Sequence, residues 1–174
     1  QTVALAARGS DDAALDARMD GLKDDDLATF IYTSGTTGFP KGAMQSHRAV
    51  ITNGAMTSQM QMRNAEDCVI SALPCPHVYA NVIMMGMMMF GTKLVLHRSF
   101  DAELVFADIA THKATIFDGV PAMYMFMLNS PTIETADVSS LSRCYVGGQT
   151  MPVATMKAVE TKFKVPLIEL WGMT

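Results

Sequence analysis

No apolar run in the sequence is longer than the nine residues VIMMGMMMF, Val82–Phe90, whereas a helix needs about 20 to span a bilayer. The start of the chain lacks the pattern of a secretory leader, because Arg8, Asp11 and Asp12 interrupt it. Cysteine is scarce. Cys68, Cys75 and Cys144 are odd in number and no two share a C-x-x-C spacing, which argues against both a disulfide framework and a zinc site. Cys75 and His77 stand two apart but have no second pair of ligands, so no metal site is expected. Clusters of lysine and arginine are also missing. Thirteen basic and 17 acidic side chains leave a net charge of −4, the wrong sign and distribution for a nucleic-acid surface. Together these absences lead us to expect a reducing, cytoplasmic setting with neither a membrane span nor a nucleic-acid partner.

What is present is a chain of 174 residues, 49% hydrophobic and 17% charged, long enough to bury a real core. Residues 1–26 are rich in Asp and Ala and read as an acidic connecting segment, with one short helical stretch, Ala13–Met19. From residue 27 to 174 short β-type runs alternate with longer segments. The runs are LATFIY, CVISAL, KLVLH, ATIFD, RCYV and PLIELW. Ser46 can cap a helix running to about Met62, and Asp101 another in which Val105 and Ile109 share a face. Thr150 or its neighbour opens a third, with Pro152 in its first turn and an apolar stripe of Val153, Met156, Val159 and Phe163. The methionine-rich segment is apolar all round and, if helical, buried on every side. Helical period is weakest in 120–130. Strand alternating with helix implies an α/β fold, a largely parallel sheet flanked by helices.

One stretch stands apart from core-building. YTSGTTGFPKG, Tyr32–Gly42, packs three glycines, four hydroxyl side chains from Thr33 to Thr37, and Lys41 into eleven residues after an apolar run. A strand that ends in such a loop and feeds a helix offers backbone N–H groups, hydroxyl donors and a mobile cation on one side, the parts needed to grip a polyphosphate. It is not a P-loop: Lys41 follows Pro40 and precedes Gly42 rather than a hydroxyl. Taken alone, a solvent-exposed turn explains these residues equally well.

The whole string resembles the phosphate-binding signature of the adenylate-forming (AMP-binding, acyl-CoA synthetase) enzymes. LPCPHVYA, GVPAMYMFML, YVGGQTMP and the final LWGMT resemble four further motifs of that family, in the family's order. The resemblance runs from about Asp26 to Thr174 and implies part of the large N-terminal domain of a fatty-acid-type acyl-CoA ligase. In that family ATP activates a carboxylate as an acyl-adenylate, and coenzyme A takes the acyl group.

By this resemblance Thr33, Ser34, Gly35, Thr36, Thr37, Gly38 and Lys41 would surround the phosphates. His77 would lie beside the reacting carboxylate, and Gly147, Gly148 and Gln149 would floor the adenine and acyl sites. Trp171 would pack on adenine, followed by Gly172 and Met173, and Thr174 would contact phosphate near the metal. Mg²⁺ is implied too, its glutamate ligand expected just past Thr174. Gln149 stands where alanine is commoner, and Trp171 where tyrosine is. Ordinary structural roles compete: His77 as a histidine satisfied at a strand end, Trp171 as a core aromatic. LPCPHVYANV carries no acid to neutralise an α-amino group, so a fatty or other apolar acid is expected. The methionines are either an adaptable acyl tunnel or plain core. As a partial domain, the chain is expected to be inactive alone; a non-catalytic nucleotide-binding or scaffold protein and an aromatic-acid ligase are the alternatives.

Overall fold

The computed structural model describes residues 12–34 and 38–174. The expected α/β architecture is what is found. Five strands, β3 (Cys68–Ser71), β4 (Lys93–Leu96), β5 (Ile116–Gly119), β6 (Arg143–Val146) and β7 (Leu167–Glu169), form one sheet in the order β4-β3-β5-β6-β7. Every neighbouring pair in it is parallel.

Side-chain alternation along these strands builds two apolar layers. Cys68, Ile70, Phe117, Cys144 and Val146 face the helices α4 (Ala102–His112), α5 (Pro121–Leu128) and α6 (Val153–Phe163), where Val105, Ile109, Tyr124, Met127, Val159 and Phe163 complete the larger core. Val69, Ile116 and Tyr145 face the other way, toward Ala80 and Ile83 of α3 (Val78–Phe90). The chain steps from β3 outward to β4, then returns past β3 to β5 and continues in the opposite direction. Right-handed crossovers therefore place α3 on one face and α4 to α6 on the other.

Outside α3 lies α2 (His47–Met60), capped by Ser46, whose hydroxyl accepts the Ala49 N–H at 3.3 Å. Two glycines let α2 and α3 touch. A Cβ at Gly54 would sit 2.8 Å from Met85 Cβ, and one at Gly86 only 2.5 Å from Ser58 Oγ. The methionine-rich helix is not buried on every side: Met88 and Met89 are exposed near its end. Asp101 caps α4 as expected, accepting the Leu104 N–H at 3.0 Å. Pro152 itself occupies the N-cap position of α6, which starts two residues later than the Thr150 cap implied, and Val153 of the expected stripe is exposed. The segment of weak period is helical, with Pro121, Tyr124 and Met127 buried.

The largest departure concerns the first strand. β1 (Leu27–Thr33) pairs antiparallel with β2 (Lys41–Ser46), separate from the main sheet. Only Ile31 of β1 is buried, and Phe30 and Tyr32 lie exposed on the opposite face. The glycine-rich loop thus joins two strands of a ribbon, so no helix N-terminus follows it directly. Before the ribbon, α1 (Asp12–Asp20) is exposed from residue 13 onward. Asp24 and Asp25 bind Arg48 of α2 at 3.1 and 3.0 Å. Among the described residues no helix is long and apolar enough to cross a membrane.

Candidate active site

In open parallel sheets, ligands settle at the carboxyl ends of the strands, at the point where the strand order reverses. Here that point lies between β3 and β5. β3 runs into Leu73-Pro74-Cys75-Pro76-His77, and β5 into Gly119-Val120-Pro121. The ends of β5, β6 and β7 are drawn together by backbone bonds: Gly147 N–H donates to the Gly119 carbonyl at 3.2 Å, and Leu170 N–H to that of Val146 at 2.7 Å.

His77 is the N-cap of α3. Its Nδ1 accepts the Tyr79 backbone N–H at 3.2 Å, a contact that assigns the proton of the neutral ring to Nε2. A half-turn through Pro74, whose carbonyl accepts the His77 N–H at 2.9 Å, holds the residue in place. This gives the histidine a structural duty that engages one nitrogen and leaves Nε2–H to donate.

Two recesses meet at His77. One, of about 180 Å³, is lined by His77, Gly147, Gly148, Trp171, Gly172 and Met173, with Asn53, Thr57 and Met60 of α2 and Tyr79 and Val82 of α3 opposite. The other is a more open groove lined by Thr33, Ser34, Pro74, Pro76, His77 and Thr174. Gly147 has no room for a side chain: a Cβ would lie 3.1 Å from the Tyr79 ring and 3.3 Å from the Leu170 carbonyl. Gly148 has φ +84°, a conformation costly for other residues. Trp171 is 86% exposed, so the core-aromatic role does not apply to it.

Lys41 and Gln149 are exposed and line neither recess. Gly38 is exposed with φ +111°. Gly35, Thr36 and Thr37 lie outside the described residues.

Beneath the first recess is a buried polar network with no sequence motif. Arg63 Nη2 meets Asp118 Oδ2 at 2.7 Å, with side chains 2% and 0% exposed. The Tyr79 hydroxyl donates to Asp118 Oδ1 at 3.3 Å, and Arg63 Nε donates to Gln61 Oε1 at 2.6 Å. Burial pushes the Asp118 carboxyl above the usual aspartate range, although the Arg63 charge and the bonds from Arg63 and Tyr79 pull the other way. Burial, then the Asp118 charge, pushes the Tyr79 phenol well above its ordinary value. The one available sequence signal was an aspartate inside the apolar run TIFDG.

The family model of the AMP-binding enzymes matches residues 2–174, and the chain belongs to that family. Its relatives are acid–CoA ligases. The long-chain-fatty-acid–CoA ligase of Bacillus subtilis is 30% identical over 152 residues, covering 86% of this chain and 27% of that protein. The inhibitor-bound N-terminal domain of FACL13 from Mycobacterium tuberculosis superposes with a TM-score of 0.83 at 28% identity, over 88% of this chain and 38% of that one. A malonyl-CoA ligase holding methylmalonyl-CoA and AMP gives 0.81 at 28% identity, over 89% and 34%. The chain thus spans little more than a quarter of the fatty-acid ligase and about a third of the malonyl-CoA ligase.

Proposed function

We propose that this chain forms the nucleotide- and acid-binding wall of an ATP-dependent acid–CoA ligase whose substrate is a fatty or other apolar acid. The activity is proposed for a protein of the relatives' length that carries this sequence. The observation that carries the reading is the meeting of two recesses at His77, one apolar and one edged with hydroxyls.

An acid carboxylate held in the first recess attacks the α-phosphorus of ATP, and the bond to pyrophosphate breaks. His77 Nε2–H is available to hydrogen-bond one carboxylate oxygen and orient the other for attack. Negative charge builds on the departing pyrophosphate, where preorganised donors lower the barrier. In this proposal Thr33, Ser34, Gly35, Thr36, Thr37, Gly38, Lys41 and Thr174 supply those donors. Trp171 offers its exposed face to adenine, and Gly147 and Gly148 with Gly172 and Met173 border it. The thiol of coenzyme A then attacks the acyl carbon and releases AMP.

None of the described residues lining the first recess carries a carboxylate, which supports an acid lacking an α-amino group. The described residues of the groove hold hydroxyls without any carboxylate, so by themselves they do not make a magnesium site. The reduced thiols of all three cysteines suit the cytoplasm. ATP–pyrophosphate exchange across a panel of fatty, aromatic, dicarboxylic and amino acids tests the reading. Exchange with apolar acids, abolished in Thr36→Ala and weakened in Lys41→Ala, is expected. Preference for amino acids, or no exchange at all, would overturn it.

A further inference from the structure

The mechanism above leaves the buried Asp118–Arg63 ion pair unused. Asp118 sits at the carboxyl end of β5, at the point where the strand order reverses, and is fully buried. Removing an ion pair from water costs more than an apolar pair of the same volume, so its position at the ligand end of the sheet calls for a reason.

Its two partners supply one. Arg63 comes from the turn after α2 and lies against the space left by Gly86: a Cβ there would be 3.9 Å from Arg63 Cδ. Tyr79 comes from the first turn of α3, lines the acid recess and lies at contact distance from the Cα side of Gly147. Tyr124 gives the contrast. Its hydroxyl is satisfied by the backbone carbonyls of Phe117 and Tyr145 at 3.1 and 2.8 Å, as expected for a tyrosine that only fills core. Tyr79 instead donates to a buried charged group shared with Arg63 of the turn after α2.

We infer that Asp118, paired with Arg63, is a positioning residue for the acid recess: through the Tyr79 hydroxyl it locks the ring across the recess at Gly147 and limits how deep the acid can reach. The inference rests on the reading of this recess as the acid site. The recess is open and holds about 180 Å³, part of it bordered by the residues assigned to adenine, so the Tyr79 ring bounds the space left to the acid. A locked ring therefore favours compact acids, and an unlocked ring can swing aside for longer ones.

The test uses the gene product carrying this sequence, with Tyr79→Phe, Asp118→Asn and the double variant. Pyrophosphate exchange is measured on straight-chain acids from butyrate to dodecanoate. Each single variant is expected to move the kcat/KM ratio of dodecanoate to hexanoate about ten-fold toward the longer acid, a change on the scale of one or two methylenes in a pocket. KM for ATP should stay within about two-fold, and the double variant should fall well short of the product of the singles. Tyr79→Phe removes one hydroxyl and keeps the ring, so it decides the matter if Asp118→Asn fails to fold. Fluorotyrosine labelling supplies a readout independent of turnover: the Tyr79 fluorine resonance should shift or broaden in Asp118→Asn. An unchanged chain-length ratio, or an unmoved Tyr79 resonance, overturns the inference. Absence of exchange in the unmodified protein counts instead against the proposed activity, and the fluorine measurement still decides the anchoring.

Discussion

Replacing Arg63 with methionine leaves Asp118 as a buried carboxylate with the Tyr79 hydroxyl for company. The methylene stem of methionine replaces much of the lost packing, so the cost is chiefly electrostatic. With both side chains almost wholly buried and the charged atoms 2.7 Å apart, breaking the pair belongs in the range of about 3–5 kcal/mol. That is a large share of the ~5–15 kcal/mol typical of a whole domain.

The loss should depend on pH in a defined direction. In the variant the folded-state pKa of Asp118 rises further above its unfolded value, because the guanidinium that opposed burial is gone. A raised folded pKa means that stability is complete below the unfolded value and is lost as pH rises toward the folded one, by about 1.4 kcal/mol per unit. The variant should therefore lie closest to the unmodified protein near pH 4 and furthest from it near neutrality. Urea unfolding followed by far-ultraviolet circular dichroism at several pH values measures the difference. Adding Asp118→Asn to the variant should recover much of the loss at neutral pH, since no uncompensated charge then remains. A deficit below about 1 kcal/mol at neutral pH, or one that does not change between pH 4 and neutrality, would refute the reasoning.

Other outcomes follow from single contacts. Gly54→Ala should lower the unfolding midpoint, since a Cβ 2.8 Å from Met85 Cβ forces α2 from α3; the ~1–3 kcal/mol of overpacking outweighs the ~1 kcal/mol gained in helix propensity. Burial would raise the Asp67 carboxyl, but hydrogen bonds from Arg143 and Thr115 and the Arg143 charge leave it below the usual range. Its contribution is therefore present above the ordinary aspartate pKa and lost as pH falls through the lower folded value, so Asp67→Asn should flatten the acid limb of a stability profile. Cys144 is buried with its thiol pushed up to about 12, and Cys68 is buried as well. A thiol reagent should label Cys75 alone in the native protein and all three cysteines in urea.

How much of this was legible beforehand depends on the range of each interaction. Alternating short apolar runs and longer helical segments identify the α/β class, because strand and helix periods are local properties of the chain. Ser46 and Asp101 announce their helices because a cap acts within three residues. The ordered motifs point to the family for a similar reason, since each is a short string. Pairing was hidden. LATFIY reads as one more strand of a largely parallel sheet, yet it turns back on β2 and leaves Phe30 and Tyr32 in the open, because a strand's neighbour is not written in its own residues. The same holds for Arg63 and Asp118, 55 residues apart. No local pattern marks their meeting; only the stacking of α2 and α3 on the sheet brings a cation to a carboxylate beneath the recess. Nor could spacing separate the exposed Trp171 from a core aromatic, or detach Lys41 and Gln149 from the residues that line the two recesses. The sequence determined the elements and the kind of chemistry they could host, by interactions spanning a few residues. The tertiary structure decided which side chains share that space, because contact, burial and the cost of a charge exist only once distant segments have packed.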